Sequence, residues 1–229
     1  MRARHLALPI LFIAAFFPQA AHAGSASPSE ARDIIASHDI VFSGSYLIQA
    51  GPEVLDGALD EPLLLLRLWE AYGFSPRYKA RPLPDMGFHV DDPTGIEGDV
   101  YPVGKAEGKA EAWADKGMEG ARLFLAYGKL NHRLVPPFRG IAVAVFTPLP
   151  EGQGSGLKVE MYLRMENRFI GFLARTFFPI LRSHVVIRLD SNVKDMGTIL
   201  GDLSRAPEET AARLGDDDAA RLRSAFMKR

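Results

Sequence analysis

The chain has 229 residues, with 27 basic against 28 acidic side chains and no cysteine. That balance excludes the basic footprint of a nucleic-acid binder. The lack of cysteine excludes disulfides, a thiolate nucleophile and a thiolate metal site, so packing alone must hold the fold.

Residues 1–23 read as a targeting leader. Arg2 and Arg4 make a basic start, residues 6–17 an apolar run, and Ala21-His22-Ala23 a small-x-small cleavage site. The run is short for a membrane span, and no cysteine follows it to carry a lipid. An uncleaved anchor is the alternative, but Pro18 and the Ala-His-Ala site fit cleavage better. The expected product is secreted, periplasmic, and starts at Gly24. It loses two of the 27 basic residues and none of the 28 acidic ones, for a formal charge of −3. Its length suits one domain with a sizeable core.

Residues 24–30 are small and polar and read as a linker, with Ser29 placed to cap a short helix over 31–37. Residues 40–49 read as a strand, with Val41, Ser43, Ser45 and Leu47 on one face and Phe42, Gly44, Tyr46 and Ile48 on the other. Gly51-Pro52 breaks it and opens a helix over 52–59. A strongly apolar helix follows over 61–72, with Gly73 as its stop. Short strands are expected over 78–83, 87–91 and 98–103, punctuated by prolines. Residues 105–120 read as a wide loop or a short exposed helix. Strands follow over 122–130, 140–146 and 158–165. In the last, Val159, Met161, Leu163 and Met165 point one way and Lys158, Glu160, Tyr162 and Arg164 the other.

From Asn167 to about Leu203 the apolar period turns helical, through Leu173, Phe177, Leu181, Val185, Leu189, Val193, Met196, Leu200 and Leu203. Pro179 removes a backbone donor and is expected to kink or split this helix. The tail 207–229 reads as helical, acidic at Asp216–Asp218 and basic at its end. Strand, two helices, a meander of about six strands and a long helix make an α+β layout with a largely antiparallel sheet.

No catalytic constellation emerges. Past the leader the histidines are His38, His89, His132 and His184, none paired at metal-ligand spacing. His89 with Asp91 and Asp92 is a weak oxygen–nitrogen cluster, more simply a solvated loop. Gly154-Ser155-Gly156 lacks the spacing of a nucleophile elbow. No metal and no cofactor is expected.

Three stretches carry a family likeness: Ser45-Tyr46-Leu47-Ile48-Gln49-Ala50-Gly51-Pro52-Glu53-Val54, the strand 158–164, and Phe172-Leu173-Ala174 to Pro179-Ile180-Leu181 with His184 beyond. They resemble the START-like helix-grip superfamily, which includes the birch pollen allergen, polyketide cyclases and lipid-transfer domains. The likeness covers roughly residues 40–203. The apolar 61–72 helix and the long 105–120 insertion depart from it. It implies an α+β helix-grip fold, a curved antiparallel sheet of about six to seven strands wrapped on a long C-terminal helix. The implied division is a leader (1–23), a linker and short helix (24–39), the helix-grip domain (40–205) and a helical tail (206–229).

Members of that superfamily without an enzyme role usually bind lipids or other apolar small molecules. The first functional expectation is therefore binding or transfer of a hydrophobic small molecule or lipid in an internal cavity. Its expected wall is Leu125, Tyr127, Val143, Met161, Leu163, Phe177 and Leu181, with Tyr127 or Arg164 orienting a polar head. A cyclase- or hydrolase-like enzyme on the same fold, acting on a polyketide or acyl substrate, is the second. A non-catalytic interaction module with a filled core is the third. Phe169-Ile170-Gly171-Phe172 behind Arg168 suggests transient membrane contact; the simpler expectation is that the helix around residues 63–69 covers that face.

Overall fold

The computed structural model describes residues 26–74, 78–92, 96–106, 118, 120–132, 135–150 and 155–227. The leader and most of the 105–120 insertion lie outside the described residues. So do the side chains of Phe177, Pro179, Leu181 and His184. Among the described residues no helix is long and apolar enough to cross a membrane.

The first described element is α1 (Pro28–Ala36). Its cap is Ser27, not the expected Ser29: the Ser27 hydroxyl accepts from the Glu30 amide at 3.2 Å, and Pro28 fills a first-turn position that needs no donor. Then come β1 (Ile40–Ile48), α2 (Pro52–Asp60) and α3 (Pro62–Tyr72). Gly73 ends α3 at φ 68°, a left-handed cap that a side chain would strain. Six strands follow: β2 (Lys79–Pro82), β3 (Phe88–Asp92), β4 (Ile96–Lys105), β5 (Arg122–His132), β6 (Val135–Pro150) and β7 (Ser155–Met165). The chain closes with α4 (Arg168–Arg205), α5 (Pro207–Ala211) and α6 (Asp216–Phe226). The backbone of α4 runs helical through Pro179, so the expected split does not occur.

Among the described residues one antiparallel sheet holds seven strands, in the order β1-β7-β6-β5-β4-β3-β2. Strands β2 to β7 meander, and β1 returns to flank β7. A register shift between Pro102 and Gly104 bends β4.

Both faces are covered. On the outer face Leu123, Leu125, Val143, Val145 and Tyr162 bury against Ala31, Ile34 and Ile35 of α1, with Ala106, Met118 and Ala121. On the helix face Ile48, Leu157 and Val159 meet Val193, Met196, Ile199, Leu200 and Leu203 of α4. The same core takes in Leu55 and Leu59 of α2, Leu64, Leu68 and Trp69 of α3, Ala211 of α5, and Ala219 and Leu222 of α6. The flanking helical segments thus supply buried residues to both cores. Ion pairs tie the layers: buried Arg122 on β5 bonds Asp60 at 2.9 and 3.2 Å and reaches Asp56 at 3.2 Å, both on α2.

Candidate functional site

Strand pairing assigns each side chain to a face. Along β6, Ile141-Ala142-Val143-Ala144-Val145 alternates large and small, and the large residues join the outer core. The small ones face α4. Their cross-strand rows read Val100–Ala126–Ala142–Leu163–Ile40 and Phe124–Ala144–Met161–Phe42. The next row is Gly98–Gly128–Gly140–Met165. The centre of the helix face is therefore a floor of alanine and glycine.

That floor is not filled. Leu125 and Val143 are 0% exposed, yet their chain neighbours Ala126, Ala142 and Ala144, in mid-sheet on the opposite face, are only partly buried. A central-strand alanine beneath a helix keeps solvent exposure only if space remains above it. Aromatic and sulfur side chains border this space. Phe42 of β1 stacks on Phe178 of α4, centroids 6.3 Å apart, and Phe124 meets Phe146 edge-on at 5.7 Å. Met161 and Leu163 stand between these pairs on β7, partly exposed.

Toward the packed half of α4 the surroundings turn polar. Arg188 and Asn192 lie one turn apart, just ahead of Val193, the first core residue of that half. Arg188 Nε and Asn192 Nδ2 donate to the Tyr78 hydroxyl at 3.1 and 2.8 Å. Arg188 Nη2 donates to buried Asp92 at 2.9 Å, and its guanidinium lies 5.5 Å from the Tyr78 ring centre. Burial pushes the Tyr78 phenol up, against the pull of Arg188. Trp69 packs edge-on against the Tyr78 ring at 5.6 Å. Two buried polar atoms flank this cluster without a hydrogen-bond partner, Trp69 Nε1 and Asn192 Oδ1. On the far flank the Tyr46 hydroxyl donates to Asp190 at 2.9 Å, and burial with that carboxylate pushes its pKa up to about 12.

The sheet parts the seven expected wall residues. Met161 and Leu163 line the open space. Leu125, Tyr127 and Val143 face the outer core beneath α1. Phe177 and Leu181 belong to α4, and their side chains lie outside the described residues. Neither expected head-orienting residue reaches the groove. Tyr127 hydrogen-bonds Glu30, and Arg164 donates to Ser37 Oγ at 3.2 Å, so both fasten the α1 segment. The reason is parity: Tyr127 shares a face with Leu125, and Arg164 with Tyr162. Asp92 was read beside His89 rather than beside Tyr78, and Arg188 and Asn192 were not singled out. The small–large alternation of β6 was the signal that could have found the floor.

The histidines take structural roles where they are described. His89 pairs across strands with Asp99, Nδ1 to Oδ1 2.7 Å, rather than with Asp91 or Asp92. His38 Nδ1 bonds the Ile35 carbonyl at 2.8 Å and its ring meets Tyr162 edge-on. No group of acidic or histidine side chains suited to a metal ion occurs among the described residues. An apolar crevice between α2, α3, α4 and α6, bordered by Leu64, Leu68, Leu200 and Phe226, has no room for a water molecule.

No family model matches the sequence, and no curated protein matches it. Solved structures do. A conserved protein from Geobacillus kaustophilus is 11% identical, covers 72% of this chain and 97% of its own, and has a TM-score of 0.49. Truncated norcoclaurine synthase from Thalictrum flavum is 13% identical over 70% of this chain and 92% of its own, with a TM-score of 0.42. A START superfamily protein from Mycobacterium smegmatis is 11% identical over 70% of this chain and 99% of its own, with a TM-score of 0.35. At such identities a likeness reaches no further than fold, and the chain's own topology decides the matter. A first strand, two helices, a six-stranded meander that closes beside that first strand, and a long helix across one face make this a helix-grip α+β fold.

Proposed function

We propose that the protein binds an apolar small molecule or lipid in the groove between the alanine–glycine floor and the first half of α4. One observation carries the reading: Ala126, Ala142 and Ala144 keep partial exposure in the middle of a sheet whose other face is sealed. The driving force is desolvation, about 0.8 kcal/mol for each methylene buried. About ten methylenes supply roughly 8 kcal/mol before association costs. Met161 suits such a wall because its thioether chain repacks around different shapes.

The polar end of the ligand sits toward Tyr78, Arg188 and Asn192. Trp69 Nε1 and Asn192 Oδ1, buried without hydrogen-bond partners, offer that polar end a donor and an acceptor. The leader-like composition of residues 1–23 supports an activity outside the cytoplasm. The test is to purify the protein from its own compartment, extract it with solvent, and analyse both fractions by mass spectrometry. The expected result is a stoichiometric apolar compound with one polar end, on a chain beginning at Gly24. A protein that carries none and takes up no fatty acid, sterol or phospholipid probe refutes the binding reading.

A further inference from the structure

The first half of α4 has an uncovered side. Phe169, Phe172 and Ile187 are 66%, 57% and 65% exposed. The helix expected to cover them, α3, does not: its Leu64 and Leu68 pack in the core beside Leu200 and Leu203, at the other end of α4. Phe169 and Ile187 are eighteen residues apart, which is five full turns, so they share one side of the helix about 27 Å apart. Phe172 lies on the same side.

The charges along this stretch are basic, with exposed Glu166 and Asp190 just beyond its two ends. Between Arg168 and Leu189 the chain contains no aspartate or glutamate, but four arginines, in a protein whose formal charge is −1. Arg188 turns inward to Asp92, and Arg175 is held by Asp39 at 3.0 Å. Arg168 and Arg182 are exposed, and neither pairs with a described acidic residue. Arg168, Arg175 and Arg182 repeat at intervals of seven, two near-complete turns, so they form a row next to the exposed phenylalanines. Exposed aromatic rings alongside a row of arginines match an anionic bilayer surface. The rings enter the headgroup boundary, and the arginine stems lie along it with their heads at the phosphates.

We propose that this side of α4, built from Arg168, Phe169, Phe172, Arg175, Arg182 and Ile187, is a docking face for the surface of an anionic lipid bilayer. The proposal does not depend on the groove being filled, because Phe169, Phe172 and Ile187 project from the side of α4 away from Phe178, with the arginine row along one flank. It gives that groove a route: the same helix that roofs the alanine floor rests on the membrane.

The test is co-sedimentation of the full chain with vesicles of three parts phosphatidylcholine to one part phosphatidylglycerol, and with vesicles of phosphatidylcholine alone. Two variants of exposed side chains are compared in the same chain, F169S/F172S and R168Q/R182Q. Any contribution from the apolar leader is then common to all samples, and circular dichroism checks that each variant is folded. Binding to the anionic vesicles is expected to exceed binding to the neutral ones and to weaken with salt. Removing each arginine should weaken it about fivefold, and removing the two rings by at least about tenfold. Equal binding to both vesicle types overturns the proposal, as does binding that neither variant weakens. A dimer in sedimentation velocity that F169S/F172S dissolves, without vesicle binding by the wild type, gives the face to a second copy and also overturns it. A groove that takes up probes while vesicles are ignored sinks this proposal and leaves the binding function standing.

Discussion

Ala142 and Leu125 sit on adjoining strands and opposite faces, and the groove requires opposite consequences from changing them. Ala142→Leu adds three carbons above the floor. If that space is open, the new side chain meets no resistance, and stability moves by less than about 0.5 kcal/mol. If the space is packed, overfilling costs about 1–3 kcal/mol. Leu125 is 0% exposed, so Leu125→Ala leaves a cavity and costs about 3 kcal/mol. For a chain of this size that is a fall of about 6–12 °C in midpoint. Ligand affinity should respond the other way round. Three carbons in the groove displace about three ligand methylenes, roughly 2.4 kcal/mol or a fiftyfold loss, whereas Leu125→Ala should leave uptake within about threefold. The assay is thermal unfolding of solvent-stripped protein, since bound ligand would raise the midpoint by mass action. Titration with N-phenylnaphthylamine on the same samples reads affinity. A drop for Ala142→Leu as large as that for Leu125→Ala, or unchanged probe affinity, refutes an open floor.

Three other perturbations test the surrounding frame. All six tyrosines have raised pKa values, Tyr46 and Tyr162 to about 12, mainly through burial. Unfolded phenols ionise near 10, so stability should be intact below that pH and drain away between about 10 and 12; a phenolate signal completing near 10 in folded protein contradicts this. Arg122→Ala removes the buried cation shared by Asp60 and Asp56 and should cost about 2 kcal/mol in urea unfolding, discounted because both carboxylates are partly exposed; a change below about 0.5 kcal/mol would show the pairs to be ornamental. Gly197→Ala should stabilise α4 by up to about 1 kcal/mol because its new methyl meets only Ile48 Cδ1 at 3.9 Å, while Gly171→Ala should destabilise because its methyl would lie 2.6 Å from Asp39 Oδ1; the same sign for both would defeat that argument.

Elements were easier to read from the residues than faces. The first and last strands showed a period of two, and α4 its helical period, because local spacing reports local geometry. Which face of β5 and β6 would look toward α4 is a different matter, since it depends on what covers the other side. Ala31, Ile34 and Ile35 seal that other side, but in the sequence they are three apolar residues in a short polar-flanked helix. Large residues on β5 and β6 therefore looked like cavity wall, when they were core beneath α1. Arg188 and Asn192 were missed for a related reason. On a helix described by its apolar stripe, two inward polar residues are visible only once Tyr78 and Asp92 are brought opposite them from the far edge of the sheet. The side chains of Phe177 and Leu181 lie outside the described residues, so the groove rests on its floor, its Phe42–Phe178 stack and its polar end.

The two halves of α4 are held by different physics, and the groove follows from the difference. From Val193 to Leu203 five apolar side chains lie at most 6% exposed against β1, β7, α2 and α3. At about 1.5–3 kcal/mol each they supply on the order of 10 kcal/mol of gross burial, an upper estimate because the unfolded chain buries some of that surface already. The first half has the Phe42–Phe178 stack and a set of contacts around Asp39: its carboxylate accepts from the Met165 amide at 2.8 Å and from Arg175 at 3.0 Å, and only a glycine at 171 lets the helix pass it. Polar contacts of that kind fix direction well and contribute little net free energy, about 1 kcal/mol each. Small floor residues deny this half the burial that anchors the other, so its position over the sheet is set by aim more than by adhesion. A ligand or a lipid surface that supplied the missing apolar contact would therefore act on the half of the helix with the least to lose. The packed half, separated from it by the Tyr78–Arg188–Asn192 cluster, would keep the fold intact.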